Sequence, residues 1–504
     1  MFGCSTVPNS IKEVSQDKYQ VKYAPIPEYS LDTPVAKVYK TELLKNPELS
    51  GASLINNGIE AFLARAAFAK LATKTIEVQT YIYNNDPSAR ILLQELQEAA
   101  DRGVKVKILV DDNGMDSDLS DIMLLDVHKN IEVKVFNTFK YREHIIRYPQ
   151  FLFDFNRLNS RMHNKMFVVD GSAVIIGGRN LAKNYFDSDK NTNFADTDVV
   201  FIGKIAREAQ ESFYKYWNYH LAIPSYMFPE RKTPEKLASL RAEFLKLQKE
   251  KTKESEIYQK IMDYIITSYN SKKIKFIWGK GAIIADGPEK IDMPKNEKLK
   301  SVSPILKALS VLWKDIKKNI FISSAYFVPG KLGTNILVDE AKNGIDISIL
   351  TNSLSSTDAT AVYSAWERYR KDLVLAGVNV YEFMNKGMKL KGKKISSFAS
   401  LHSKTMVFDE KISWIGSFNL DPRSALLNSE IVAVFESKEF AKQLIQMINK
   451  DISNSWKLEL DDGSLIWVGK DENGNEIIKH KAPNTTLGKR LMTKFLKIIP
   501  ESLI

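Results

Sequence analysis

Two short segments, far apart in the chain, carry side chains that could make and break phosphate esters. In each segment a histidine lies two residues before a lysine: His163 precedes Lys165, and His402 precedes Lys404. A neutral imidazole can attack phosphorus, an imidazolium can protonate a leaving alcohol, and an ammonium group can stabilise charge on phosphate oxygens. The spacing therefore predicts phosphodiester chemistry at a site to which both segments contribute.

The first segment is predicted to be a β-hairpin. Side chains alternate between the two faces of a strand, so His163 and Lys165 share a face. A two-residue turn at Gly171-Ser172 would place His163 opposite Asn180. We therefore expect an imidazole, an ammonium group and an amide on one face, with Asn180 binding the substrate phosphate.

The second segment is predicted to form a hairpin by the same rule. A turn at Glu410-Lys411 would place His402 opposite Asn419 and Lys404 opposite Ser417. Glu-Lys is a poorer turn pair than Gly-Ser, so this register is the less secure of the two. Asn419 and Ser417 are also predicted to bind phosphate, with Ser417 standing where the first hairpin has a glycine.

Four carboxylates complete the candidate site. Asp170 and Asp409 follow the lysines in the two motifs and are counted with the catalytic groups, although their odd offset from the histidines predicts that they brace the hairpins. Asp198 and Glu430 are predicted to orient the histidines. A carboxylate on the ring Nδ1 fixes the tautomer so that Nε2 faces the reacting atom.

The elements around these hairpins occur in the same order twice, and they predict the fold class. Strands that alternate with helices indicate α/β architecture. We expect two pseudo-symmetric lobes, each a mixed, mostly parallel sheet flanked by helices. The repeated order is a strand at 74–83, a helix at 89–102 and a strand at 104–110, then a strand at 318–324, a helix at 335–343 and a strand at 345–350.

The chain is predicted to divide into five segments. Prolines without periodicity suggest an extended arm at the amino end, and a run rich in Lys and Glu suggests a solvated helix between the lobes. The predicted segments are the arm at 1–45, the first lobe at 46–227, a charged helical connector at 228–272, the second lobe at 273–457, and a carboxyl-terminal hairpin with a basic amphipathic helix at 458–504.

Composition restricts the partners of the chain. A net charge of +11 over 504 residues favours anionic partners such as phospholipid headgroups or nucleic acid, with a generally lysine-rich surface as the alternative. The single cysteine excludes an intramolecular disulfide and a zinc cluster built from thiolates. Gly3-Cys4-Ser5 is typical of a lipoprotein cleavage site but lacks the preceding signal regions, so a lipid anchor and an ordinary residue both remain open.

The carboxyl-terminal stretch has two possible interpretations. Leu487, Leu491, Phe495 and Ile498 fall along one side of a predicted helix, and four cations lie elsewhere on it. This pattern is typical of an interfacial helix on anionic lipid. A helix packed on the second lobe would have the same pattern. No apolar run reaches the ~18 to 20 residues that a bilayer span needs.

The paired His-x-Lys-x-x-x-x-Asp hairpins, each with a Gly-Gly/Ser-x-Asn return, resemble the phospholipase D superfamily. Gly177-Gly178-Arg179-Asn180 and Asn428-Ser429-Glu430 are similar to bacterial cardiolipin synthases of the C type. The resemblance implies a phosphatidyltransferase that makes cardiolipin from phosphatidylglycerol, with phosphatidylglycerol or phosphatidylethanolamine as co-substrate, through a phosphohistidine. It implies no metal or cofactor, phospholipid substrates, and a peripheral or lipid-anchored position on either face of the bacterial cell membrane.

Several alternatives stay open from sequence. His163 is favoured as the nucleophile and His402 as the acid and base, but the near-symmetric repeat also allows the reverse. Hydrolysis of phospholipids and an endonuclease of the same superfamily are alternative activities, and a catalytically silent scaffold is a third. Nucleic acid is disfavoured as a partner because aromatic and basic residues are not interleaved in a stacking strip. The sequence does not reveal whether the chain has a protein partner.

Overall fold

The fold is described from a computed structural model. Strands and helices alternate through two similar halves of the chain, as the repeat predicts. The structure describes residues 23–55, 57–115, 120–141, 148–228, 233–249, 267, 274–298, 301–387, 389–390, 393–394, 396–471, 473–498 and 501.

The two halves contain strands of similar length and order. The strands of the first half are β1 (Leu49–Ile55), β2 (Thr75–Thr80), β3 (Lys105–Asp111), β4 (Ile131–Phe136), β5 (Met166–Val169), β6 (Ala173–Gly177), β7 (Thr192–Ala195), β8 (Asp198–Gly203) and β9 (Ala222–Pro224). The strands of the second half are β10 (Ile277–Ala285), β11 (Asn319–Ser324), β12 (Asp346–Asn352), β13 (Asn379–Phe383), β14 (Lys389–Leu390), β15 (Lys393–Lys394), β16 (Phe398–Leu401), β17 (Lys404–Phe408), β18 (Ile412–Gly416), β19 (Ile431–Glu436), β20 (Ser455–Asp461), β21 (Ser464–Lys470) and β22 (Glu476–Lys479).

Helices connect and cover these strands. They are α1 (Pro34–Val38), α2 (Lys40–Lys45), α3 (Gly58–Leu71), α4 (Pro87–Asp101), α5 (Ser120–Leu124), α6 (Phe155–Asn159), α7 (Lys204–Trp217), α8 (Pro234–Lys249), α9 (Lys295–Lys298), α10 (Pro304–Lys314), α11 (Gly330–Lys342), α12 (Thr360–Trp366), α13 (Arg370–Leu375), α14 (Pro422–Leu426), α15 (Lys438–Ile452) and α16 (Leu487–Leu496).

Capping chemistry explains where several helices begin and end. The Asp86 side chain accepts a hydrogen bond from the Ala89 backbone N–H at the start of α4, and Ser303 caps α10 in the same way. Gly103 and Gly344 follow α4 and α11 with φ of 100° and 90°, a conformation that glycine adopts without strain. These equivalent glycines confirm that one supersecondary unit is used twice.

Within the described part of the chain, eighteen strands form one continuous sheet. Its two halves join where β1 pairs antiparallel with β10. Strands β2, β3 and β4 are parallel, as are β11, β12 and β13. The expectation of mostly parallel sheets is wrong, because antiparallel pairs outnumber parallel ones among the described strands. The histidine hairpins contribute to this, since β5 and β17 run antiparallel to the neighbouring β2 and β11.

Both hairpin turns differ by one residue from the prediction. The Ser172 N–H bonds to the Val169 carbonyl, and φ is positive at the two central residues, Asp170 (53°) and Gly171 (60°). Positive φ at both positions defines a type I′ turn, for which Asp-Gly is a preferred pair. The turn therefore centres on Asp170-Gly171, Ser172 is left out of the ladder, and pairing resumes with Val169 opposite Ala173. The predicted register, with His163 opposite Asn180, is wrong by one residue.

The second hairpin repeats this shift. Lys411 N–H bonds to the Phe408 carbonyl, with Asp409 at φ 52° and Glu410 at φ 54° in the turn. Phe408 then lies opposite Ile412. The same backbone is thus formed with a glycine in one half and with a glutamate in the other.

The amino-terminal segment is partly helical where an extended arm was expected. Its helices α1 and α2 bury Val35, Ala36 and Leu43. Cys4 lies outside the described residues, as does most of the predicted connector. The described part of the connector includes α8, whose Leu237 and Leu240 side chains are buried.

The two halves share a core at their junction. Buried side chains of the first half, such as Val174 and Phe201, belong to the same apolar cluster as Ile415 and Phe435 of the second. The ends of β5, β6 and β8 therefore face their counterparts β17, β18 and β19 across a packed interface. No helix in the described ranges is long and apolar enough to cross a bilayer.

Candidate active site

The two histidine segments meet across the junction of the halves. Strand β16, which leads into His402, runs parallel to β7 of the first half, and the His402 N–H donates to the Ala195 carbonyl at 2.7 Å. The His163 N–H donates to the carbonyl of Ser429, in the second half, at 2.9 Å. Each histidine is therefore positioned by backbone of the opposite half.

The carboxylates that orient the histidines are exchanged in the same way. His163 Nδ1 lies 2.9 Å from Glu430 Oε2 and 3.1 Å from Oε1. His402 Nδ1 lies 2.6 Å from Asp196 Oδ2. A carboxylate on Nδ1 presents Nε2 to the reacting atom. Each half thus supplies an imidazole to the site and the carboxylate that holds its partner's imidazole.

The prediction that Asp198 orients a histidine is wrong. Asp198 is fully buried and forms ion pairs with Arg65 at 2.9 Å and with Arg179 at 3.6 Å. It is the first residue of β8, and its ion pairs hold it within the first half rather than at the junction.

Sheet register explains why Asp196 takes this position. Asp198 lies opposite Gly177, and Val432 lies opposite the equivalent glycine, Gly416. Two residues before Val432 comes Glu430, so two residues before Asp198 comes its true counterpart, Asp196. Counting back from the strand that pairs with each glycine would have identified it.

The side chain of each lysine contacts the backbone carbonyl of the histidine two residues before it. Lys165 Nζ donates to the His163 carbonyl at 2.8 Å. Lys404 Nζ contacts the His402 carbonyl and lies 3.0 Å from His402 Nδ1. Burial lowers the pKa of Lys165 to about 7, and burial also lowers the pKa of Lys404. An anionic ligand beside either lysine would therefore stabilise its charged form and raise its pKa.

Electrostatics couple the two imidazoles. Burial lowers the pKa of His163 to about 4, against the opposing effect of Glu430. Burial and the charge of Lys404 hold the pKa of His402 well below its usual range, and Lys165 and His163 lower it further. Both rings are thus neutral at neutral pH in the free site, the form in which an imidazole is a nucleophile.

Among the predicted phosphate ligands, Asn180 and Asn419 stay candidates and Ser417 does not. Asn180 Oδ1 accepts from the Ile82 N–H at 3.0 Å, and its Nδ2 is buried without a hydrogen-bond partner among the described residues. Asn419 is buried next to the second histidine hairpin, and its N–H donates to Ser424 Oγ at 3.3 Å. The prediction for Ser417 is wrong, because its hydroxyl donates to Glu430 and accepts from the Ile431 N–H at 3.0 Å.

The motif aspartates act as braces. Asp170 accepts backbone hydrogen bonds from Lys74 at 2.7 Å and Thr75 at 2.8 Å, just before β2. Asp409 accepts from Lys317 at 3.0 Å and Lys318 at 2.8 Å, just before β11. Each carboxylate ties its hairpin turn to the first parallel strand of its half, so both are positioning residues.

Several positioning residues were missed by the sequence analysis. Ser424 Oγ donates to Glu430 Oε1 at 2.8 Å. Asp111 accepts from the Met162 N–H at 2.9 Å and from Arg161 Nε at 2.8 Å, just before His163. In the second half Asn352 accepts from the Leu401 N–H at 2.9 Å. Asp111 and Asn352 end β3 and β12, so comparing strand ends in the repeat would have revealed them.

Aromatic rings pack against both imidazoles. The Tyr81 ring lies 5.2 Å from that of His163, and Tyr185 and Phe194 lie 5.0 and 5.1 Å from that of His402. These rings restrict how each imidazole can turn. Among the described residues, no group of three or more His, Cys, Asp or Glu side chains is arranged to hold a metal ion.

Comparison with known proteins identifies the family to which the chain belongs. A sequence profile described as "Cardiolipin synthase, PLD-like domain" matches residues 67–217 and 313–452, one stretch in each half. The protein named cardiolipin synthase C from Escherichia coli K12 is 35% identical over 471 residues, covering 90% of this chain and 96% of that protein. The chain belongs to the phospholipase D superfamily. Within the superfamily it is an enzyme of the cardiolipin synthase-like phosphatidyltransferase type.

Two further relatives extend this comparison. A Helicobacter pylori protein of uncharacterised function is 42% identical over 489 residues, covering 96% of this chain and 95% of that protein. The crystal structure of phosphatidylserine synthase from Haemophilus influenzae Rd KW20 matches with a TM-score of 0.57 at 12% identity, over 92% of this chain and 98% of that one. At that identity the match supports the superfamily fold alone.

Proposed function

We propose that this enzyme makes cardiolipin by transferring a phosphatidyl group from a donor phospholipid to the headgroup hydroxyl of phosphatidylglycerol, at the surface of the bacterial cell membrane. Because phosphatidylethanolamine has no headgroup hydroxyl, it can act only as the donor; a second phosphatidylglycerol is the alternative donor. The observation that carries the proposal is the exchanged pair of histidine and carboxylate contacts, because it brings two imidazoles to one junction. The name of the Escherichia coli relative supports the choice of lipid.

The first step forms a bond between His163 Nε2 and phosphorus and breaks the bond from phosphorus to the headgroup oxygen of the donor lipid, which leaves as glycerol or ethanolamine. The leaving oxygen takes a proton from His402. An anionic phosphodiester beside His402 raises its pKa relative to the free site, so substrate binding itself favours the protonated form. Lys165, Lys404, Asn180 and Asn419 bind the phosphate oxygens and stabilise the added negative charge.

The second step reverses the chemistry with a new alcohol. Neutral His402 removes a proton from the acceptor hydroxyl, whose oxygen attacks phosphorus while the bond to His163 Nε2 breaks. The products are the new phosphodiester and free His163, so atoms and charge balance over the cycle. If water attacks instead, the product is phosphatidic acid.

The surroundings of Glu430 favour His163 as the nucleophile. The positive charge that develops on His163 needs an ionised carboxylate behind it. Although burial opposes this, His163, Lys165 and the Ser417 hydroxyl hold the pKa of Glu430 below its usual value. Burial instead raises the pKa of Asp196, although Lys404 and Arg179 oppose that shift. The phosphohistidine is therefore better stabilised on His163.

The decisive experiment is a lipid product profile. Purified full-length protein is incubated with labelled phosphatidylglycerol, with and without phosphatidylethanolamine, and separately with single-stranded DNA. Cardiolipin from the wild type, and none from a His163→Ala variant, is the expected result. The exposed His480 offers a matched control, because His480→Ala should leave the profile unchanged. Phosphatidic acid alone would assign hydrolysis, and cut DNA with unchanged lipid would overturn the proposal.

A further inference from the structure

The carboxyl-terminal helix α16 presents an apolar ridge to solvent. The side chains along it are 65% exposed at Leu487, 54% at Leu491, 72% at Phe495 and 76% at Ile498. Scattered exposed apolar residues are ordinary, but three on one side of α16 and a fourth, Ile498, just beyond its end form a patch of the kind that marks an interaction surface.

The helix is held to the second half by its other side. Thr493 is buried, and Lys497 pairs with Glu367 at 3.0 Å. Glu501, just beyond the helix, pairs with Arg368 at 2.7 Å and accepts from the Tyr369 hydroxyl at 2.6 Å. Both interpretations of the sequence are therefore compatible, since the helix packs on the second half and still leaves its apolar ridge free.

The charge around the ridge favours an anionic bilayer as its occupant. Helix α16 carries Lys489, Arg490 and Lys494 and no acidic residue. Lysine and arginine beside an apolar ridge bind anionic headgroups while the apolar side chains enter the acyl boundary. The Thr486 side chain caps the helix by accepting from the Lys489 N–H at 3.1 Å, which stabilises its first turn.

Helix α16 is also connected to the catalytic junction. It packs against α12, which begins two residues after Asp358. The Asp358 carboxylate accepts from the Tyr326 hydroxyl at 2.9 Å, and its charge acts on the buried Lys404. The helix that α16 contacts therefore begins next to a carboxylate whose charge acts on Lys404.

We propose that α16 is a membrane-docking helix that seats the enzyme on bilayers containing anionic phospholipid. Leu487, Leu491, Phe495 and Ile498 enter the lipid, and the adjacent cations contact its headgroups. The inference rests on the proposed function for its purpose, which is to deliver lipid substrate to the junction, but its binding test does not depend on catalysis.

The test measures how full-length protein partitions onto vesicles of phosphatidylcholine with and without phosphatidylglycerol. Removing two apolar anchors in the variant Leu491→Ser/Phe495→Ser should weaken binding to the anionic vesicles by roughly tenfold or more. The matched control is Leu44→Ser, since Leu44 is likewise exposed, at 60%, but lies in α2 and outside the ridge. A second variant, Lys489→Gln/Lys494→Gln, should lose the preference for anionic vesicles and the sensitivity to salt.

Unchanged vesicle binding in Leu491→Ser/Phe495→Ser would overturn the inference. So would a wild-type dimer that this variant converts to a monomer, because the ridge would then be covered by a second copy of the chain. Activity on detergent-dispersed phosphatidylglycerol separates docking from catalysis. The variant should keep that activity, whereas a wild type that binds vesicles and transforms no lipid would refute the proposed function alone.

Discussion

The half that carries His163 and the half that carries His402 share a backbone plan but differ in how they hold the exchanged carboxylates. Glu430 accepts hydrogen bonds from the Ser417 and Ser424 hydroxyls as well as facing His163. Asp196 accepts from the N–H of Thr197 at 2.8 Å, and Gly178 replaces the serine. A Cβ at Gly178 would lie 2.4 Å from Asp196 Oδ1, so the glycine is required by the shorter, closer carboxylate.

A second difference lies just before each histidine. In the first half Arg161 and Asp111 form a buried ion pair, whereas in the second half the neutral Asn352 bonds to the same backbone position. Together these contrasts teach that duplication of the unit sets where the groups lie, while a few substitutions between the copies set which groups carry charge. An enzyme with one nucleophile and one acid requires such an asymmetry.

The largest expected effect is the loss of activity when either histidine is replaced. His163→Ala and His402→Ala should each lower activity by roughly 10⁴-fold or more, because both are required in a covalent cycle. Only enzyme that retains His163 should form a labelled phosphohistidine, detected by alkaline quench and peptide mapping. Label on the peptide that contains His402 would reverse the assignment.

Substitutions of the two exchanged carboxylates should have the second largest effect on activity. Glu430→Gln and Asp196→Asn keep the shapes of the side chains but remove the charge behind each imidazole, which should cost roughly 10² to 10⁴ in kcat/KM. Glu430→Gln should slow formation of the phosphohistidine in a single-turnover experiment more than Asp196→Asn does. Asp198→Asn is the control: it should lower the Tm, through loss of its ion pairs with Arg65 and Arg179, more than it lowers kcat.

The lysines should produce a pH effect of intermediate size. With its pKa lowered to about 7, Lys165 loses its proton as the pH rises through that value, so kcat/KM should fall above about pH 7. His163, with its pKa lowered to about 4, is already neutral there and does not cause the fall. Lys165→Arg stays charged and should move the falling limb to higher pH. A profile identical to that of the wild type would remove Lys165 from the set of titrating groups.

The smallest expected effect concerns the hairpin turns and is one of stability. Glu410 adopts positive φ where the first half has Gly171, so Glu410→Gly should raise the free energy of unfolding by about 0.5 to 1 kcal/mol. Gly171→Ala should lower it, because the new Cβ would lie 2.6 Å from Gln210 Oε1. Denaturant unfolding of both variants checks the pair, and equal shifts of the same sign would contradict this account.

Much of the fold was predictable because local patterns repeat. Alternating strands and helices, the equivalent Gly103 and Gly344, and the histidine segments all specify their own secondary structure. The turns were misassigned by one residue, although Asp170-Gly171 is itself a preferred type I′ pair. The predominance of antiparallel strands was missed because hairpins inserted beside a parallel core change the pairing without changing any local pattern.

The sequence by itself determined which imidazoles, lysines and asparagines belong to the candidate site, since each pair recurs at fixed spacing within one hairpin. Only the tertiary structure decided that Glu430 serves His163, that Asp196 rather than Asp198 serves His402, and that Ser417 supports a carboxylate. Spacing along a strand specifies the face on which a side chain lies. The partner that the side chain reaches depends on the register between strands of opposite halves, which forms only when the two halves pack together.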